Sequence, residues 1–225
     1  MLPLLLFINR IKKKDAIAIA VYGILFFSLL TFWDYWETSI PRSLKKLYQS
    51  SYTLLEYSFF AFFLLSNIKP QKILSIRFGK STKVFSFRSI IYVLSFLFIA
   101  FQIFYFFYAK SRRLDTFPVG IETILLFIYI FYFFYQYFKN TQNQYIYNEP
   151  CFWVSVGIMI YMGGSFFFNI LGEDISKAEI EKYWFLTYIA ETLKNILFVV
   201  ALFMFKRKPV ENSTPKSIPY LDLTI

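Results

Sequence analysis

Six apolar runs, each about twenty residues long, constrain this chain more than any other feature: residues 16–33, 48–68, 89–108, 120–138, 151–171 and 183–205. A helix of about 20 residues rising about 1.5 Å per residue crosses the ~30 Å hydrocarbon core of a bilayer. Composition agrees, with 57% apolar and 17% charged residues against about 45–50% and about 25% in soluble domains. Seven glycines and eight prolines are too few for a collagen-like or Pro/Gly-rich disordered chain. The expected fold is all-α, an integral membrane bundle of six transmembrane helices. A single domain at 1–208 is expected, opening on a short interfacial segment and followed by a cytoplasmic tail at 209–225.

Absent residue types narrow the chemistry. The chain has no histidine and one cysteine, Cys151. It therefore has no His/Cys zinc site, no histidine-ligated haem, no intrachain disulfide and no His-dependent triad. No cofactor, no metal site and no enzymatic activity are expected, and Cys151 reads as a small apolar residue at a span end.

The net charge of +10 would suggest nucleic acid in a soluble protein. Here the basic residues fall between apolar runs, where lysine and arginine orient spans and meet anionic headgroups. The expected partner is the lipid bilayer, including anionic lipids, and no nucleic acid. The N-terminal segment, the loops 69–88 and 139–150 and the C-terminal tail hold 15 basic residues, against 8 in the other three loops. Both termini are thereby placed in the cytoplasm, and the acidic loop 172–182 on the outside. Residues 2–8 are apolar but too short to span, and their basic residues follow instead of preceding them, unlike a signal peptide. An interfacial segment is expected there.

Ionisable residues inside spans are costly and usually face the bundle interior or water. Glu56 and Glu191 each lie eight residues into a run entering from outside, about 12 Å below the outer boundary, and Lys194 follows Glu191 by three residues. Asn195, with Tyr188 and Thr192, extends that polar face. On the fourth run Glu122, Tyr129, Tyr132 and Gln136 are spaced as one helical stripe. Gln102 in the third run and Ser165 with Asn169 in the fifth also fall in the outer half. Glu56, Glu122, Glu191, Lys194, Asn195, Gln102 and Asn169 are therefore the candidate ligand-binding residues. Lys194 is expected in the interior, paired with Glu191, Glu56 or both. Gly163-Gly164-Ser165 reads as a close-packing site, and the tyrosine and phenylalanine runs as lipid-facing bulk and interface anchors.

The runs Gly120-Ile121-Glu122-Thr123-Ile124-Leu125, Asn148-Glu149-Pro150-Cys151-Phe152-Trp153 and Gly163-Gly164-Ser165-Phe166, with Lys182-Tyr183-Trp184-Phe185, Lys194-Asn195-Ile196-Leu197 and Lys216-Ser217-Ile218-Pro219-Tyr220-Leu221-Asp222, carry a resemblance. The chain from about Tyr48 onward resembles a group of small uncharacterised bacterial multi-pass membrane proteins. That implies a bacterial inner (cytoplasmic) membrane and brings no catalytic residues.

The function expected is a membrane sensor or accessory signalling protein that recognises a small ligand or membrane state through an outward-facing polar pocket. It would act through a protein partner. A small transporter or an ion or proton channel using the same carboxylates and lysine is the alternative, and an enzyme acting on lipid a third.

Overall fold

The computed structural model describes residues 14–36, 41–69, 72–78, 81–108, 116–140, 146–171, 183 and 185–206. The interfacial segment expected at 2–8, the tail at 209–225 and the whole loop 172–182 lie outside the described residues.

Among the described residues six long helices form the bundle: α1 (Lys14–Trp36), α2 (Arg42–Asn67), α3 (Phe87–Tyr108), α4 (Thr116–Asn140), α5 (Pro150–Leu171) and α6 (Phe185–Lys206). Five of them, all but α2, are long and apolar enough to cross a membrane. Many of their large apolar side chains stand exposed, among them Phe96, Phe107 and Phe131. That many exposed aromatic groups is untenable in water and natural in hydrocarbon. The chain is a multi-pass membrane protein.

α2 departs from the apolar pattern because of where it sits. Its 26 residues span about 39 Å, but Gln49, Ser50, Ser51, Thr53, Glu56 and Ser58 crowd its middle. It packs against α1, α3, α4 and α5, so much of its surface meets protein and its polar groups find partners there. Thr53 and Ser58 donate back to the carbonyls of Gln49 and Leu54 at 3.2 and 2.7 Å, which satisfies a hydroxyl within its own helix. The helix starts at Pro41, whose carbonyl accepts from the N–H groups of Leu44 and Lys45. It stops just before Pro70, which cannot continue it.

Both ends of α2 are tied down. At the start, Lys46 Nζ donates to the Phe106 carbonyl in the last turn of α3 at 2.6 Å, where a cation complements the helix dipole. At the other end, Gln136 of α4 accepts from the Lys69 N–H at 2.9 Å and donates to the Lys69 carbonyl at 2.7 Å. Cys151 Sγ reaches Asn67 Oδ1 at 3.1 Å, so the lone thiol helps hold a helix end.

The all-helical expectation holds for the bundle, but the loop 69–88 contains more than basic residues. Strands β1 (Lys72–Phe78) and β2 (Ser81–Ser86) pair antiparallel from Phe78↔Ser81 to Lys72↔Ser86, with a register shift between Lys72 and Leu74. The sequence Leu74-Ser75-Ile76-Arg77-Phe78 alternates with a period of two, the pattern of a strand. A length near 20 residues and a charge count alone do not disclose it. β2 runs directly into α3.

α5 and α6 make the closest helix contact. A Cβ placed on Gly164 would lie 2.7 Å from Ala190 Cβ, and one on Gly157 would lie 3.1 Å from Phe198 Cε1. The two glycines are seven residues apart and so share a face. Of the residues expected to permit close approach, Gly164 does so, and Gly157 adds a second point. Gly164→Ala is expected to destabilise the protein by about 1–3 kcal/mol through overpacking. Gly120→Ala, with nothing within 4 Å of the added Cβ, is expected to be neutral or slightly stabilising. Thermal melts of both variants in one detergent check the contrast.

Candidate functional site

Four helices bring one polar network together in the bundle core. Tyr22 of α1 donates to Glu56 Oε1 at 3.0 Å, and Tyr161 of α5 donates to Glu56 Oε2 at 3.2 Å. Lys194 of α6 donates to the Tyr22 hydroxyl at 3.1 Å. A tyrosine carries one hydroxyl proton. With the Tyr161 proton spent on Glu56, the 3.4 Å contact between the Tyr52 and Tyr161 hydroxyls is a donation from Tyr52. The result is a directed chain: Tyr52 to Tyr161 to Glu56 from one side, Lys194 to Tyr22 to Glu56 from the other.

Lys194 is interior, at 2% exposure. Its ammonium lies 3.9 Å from the centroid of the Tyr161 ring and 5.3 Å from that of Tyr22, so the faces of two aromatic rings supply part of what water would. The pairing expected with a carboxylate takes an indirect form. Two hydrogen bonds through Tyr22 separate the ammonium from Glu56, and among the described residues no carboxylate approaches it within ion-pair distance. The reason is geometric, since α1 inserts Tyr22 between α2 and α6. Glu191 is half-buried and close enough to interact electrostatically with both Lys194 and Glu56.

Glu122 of α4 is buried at 1% exposure, and its Oε1 has no hydrogen-bond partner. It interacts electrostatically with Glu56. It lies in the first turns of α4, and packing encloses it. Of the stripe, Glu122, Tyr129 and Gln136 are buried and Tyr132 half-buried. Tyr129 bonds the Tyr57 hydroxyl at 3.1 Å, and Tyr57 bonds Ser95 Oγ at 2.9 Å.

Gln102 and Asn195 separate from this core. Gln102 is buried and donates to Ser50 Oγ at 3.2 Å, with its Oε1 unpartnered; it joins α3 to α2 six residues before Glu56. Asn169 falls in the last turn of α5. Asn195, adjacent to Lys194, faces outward and is exposed, as are Tyr188 and Thr192. One polar face of the sixth run therefore splits into an inward Lys194 and an outward Asn195, because neighbouring helical residues point about 100° apart.

Sequence reasoning missed Tyr22, Tyr52 and Tyr161, treating tyrosine as an anchor at the membrane surface. Their depth is the overlooked signal. Tyr22 is eight residues from Lys14 and Tyr161 eleven from Pro150, about 12 and 16 Å along their helices and too deep for an interfacial ring. The exterior reading does hold for Phe104, Phe107 and Tyr108, all exposed.

No protein-family model, curated protein or solved structure matches the chain.

Replacing Lys194 by Met removes the cation that, among the described residues, faces Glu56, and leaves a buried carboxylate uncompensated, with an expected loss of about 3–5 kcal/mol. Adding Glu56→Gln to Lys194→Met is expected to recover a large part of that loss, since the stranded charge goes too. Tyr22→Phe alone is expected to cost about 1–3 kcal/mol by unlinking two buried groups. Detergent melts of the three variants measure this, and a double variant no more stable than Lys194→Met removes the coupling.

Proposed function

We propose that the protein is a six-span sensor or accessory signalling component of a bacterial cytoplasmic membrane, with both termini inside. It recognises a small ligand or a membrane state through the polar core in its outer half. The observation that carries this reading is the buried Glu122, which has an unpartnered oxygen and lies within electrostatic reach of Glu56. Among the described residues, the buried carboxylates Glu56 and Glu122 outnumber the buried ammonium of Lys194. A second buried carboxylate within reach of Glu56, with an oxygen left unpartnered, is an acceptor for a proton or a cationic group, such as an amine. Packing alone does not require that excess, whereas recognition of a cation does.

The sixth span in this proposal is α2, whose polar residues serve the interior. Its position also supports a route for a signal. Glu56 lies in the middle of α2, and the other end of the same helix is clamped by Gln136 at Lys69, three residues before the first hairpin strand. A shift of α2 on ligand binding reaches the hairpin, which lies on the cytoplasmic side in this topology and is the surface through which a partner reads it.

A transport reading has one observation in its favour, the continuous chain of hydroxyls, carboxylate and ammonium from Tyr52 to Lys194, which is a possible proton path. Proteoliposomes containing a pH-sensitive dye separate the two. A sensor leaves an imposed proton gradient undissipated, and melts of the wild type show stabilisation by at least one of ethanolamine, choline or spermidine, lost in Glu122→Gln. Gradient collapse that depends on Glu56, with no stabilisation by any amine, replaces sensing with transport. The topology is checked with single cysteines in a Cys151→Ser background. A cysteine at position 176 is expected to be labelled from outside, and one at position 80 only after the membrane is opened.

A further inference from the structure

Asn195 stands at the midpoint of α6, ten residues after Phe185 and eleven before Lys206. In a helix crossing the bilayer this is the centre of the hydrocarbon. Its amide is exposed, and it has no hydrogen-bond partner among the described residues. Lipid tails provide neither donor nor acceptor, so a carboxamide there is left with nothing to bond. Tyr188, Thr192 and Val199 are also exposed. With Asn195 they follow one another at spacings of four, three and four residues. That is the seam along which two helices pack, and it points away from the face that holds Lys194.

We propose that α6 pairs with α6 of a second copy of this chain through this seam, with Asn195 meeting Asn195. The choice of a second copy follows from symmetry and chemistry. Copies of one chain share an orientation in the membrane, so a two-fold axis along the membrane normal brings residue 195 to its counterpart at the same depth. A carboxamide is both donor and acceptor, so two of them satisfy each other. Between Phe185 and Met204 the charged residues are Glu191, half-buried, and Lys194, buried. The seam therefore carries no charge to repel an identical partner and none to select an oppositely charged one. The pairing depends on α6 crossing the membrane and is independent of what the polar core recognises.

The test uses the full chain, labelled once at its C-terminus and reconstituted at low density in phosphatidylcholine/phosphatidylglycerol vesicles, with subunits counted by photobleaching steps. The wild type is expected to bleach mainly in two steps. Asn195→Leu is expected to bleach mainly in one, with dimerisation weakened about tenfold, while its melting temperature in detergent stays unchanged or rises. Asn195→Gln, which keeps the amide, is expected to retain the dimer. If Asn195→Leu does not reach the membrane, Thr192→Trp obstructs the same seam and carries the same expectation. A wild type that bleaches in single steps at every protein-to-lipid ratio overturns the proposal. So does an Asn195→Leu dimer as strong as the wild type.

Discussion

The burial of the Lys194 ammonium is the constraint around which the bundle is arranged. An isolated charge in a low-dielectric interior costs several kcal/mol, and no single helix of this protein offsets that cost. Tyr22 from α1, Glu56 from α2 and Tyr161 from α5 meet the lysine of α6, so one group from each of four helices must arrive together. Partial assembly leaves a carboxylate or an ammonium stranded, and a misplaced helix is penalised by its neighbours. Gly164 and Gly157 bring α6 close to α5, which sets Lys194 against the Tyr161 ring.

α2 supplies the axis of this arrangement. Among the helices it is the least suited to lipid and the best suited to protein surroundings. Its hydroxyls close on its own carbonyls, its glutamate is held by two tyrosines, and both its ends are fastened by other helices. Polar density here follows from central position, in the same way that aromatic density on α3 and α4 follows from their contact with lipid. The carboxylate left without a full set of partners, Glu122, sits on α4 beside this axis. An open acceptor next to the central helix is where binding has the most leverage over packing.

In this protein both the interior and the surroundings are apolar, and this limits what a periodic pattern discloses. In a soluble helix the polar stripe marks the outside. On α6 the adjacent polar residues Lys194 and Asn195 part, one buried in the bundle and one on its surface, and hydropathy treats them alike. Tyrosines divide in the same way, with Tyr22, Tyr57 and Tyr129 in the core and Tyr108 and Tyr135 at the surface. Depth was the better guide, because it depends only on residue count.

The sequence by itself determined that the chain builds long apolar helices, their approximate limits and how far along them Glu56, Glu191 and Lys194 fall, although it counted six apolar spans where five helices are apolar enough to cross a membrane. The cause is simple: an apolar run and a rise of about 1.5 Å per residue define both. Tertiary structure alone decided the rotation of each helix about its axis. It placed Tyr22 between lysine and glutamate, enclosed Glu122 and turned Asn195 outward. Helix rotation in a membrane is set by close packing and hydrogen bonds between helices, with no contrast between water and core to write it into the sequence.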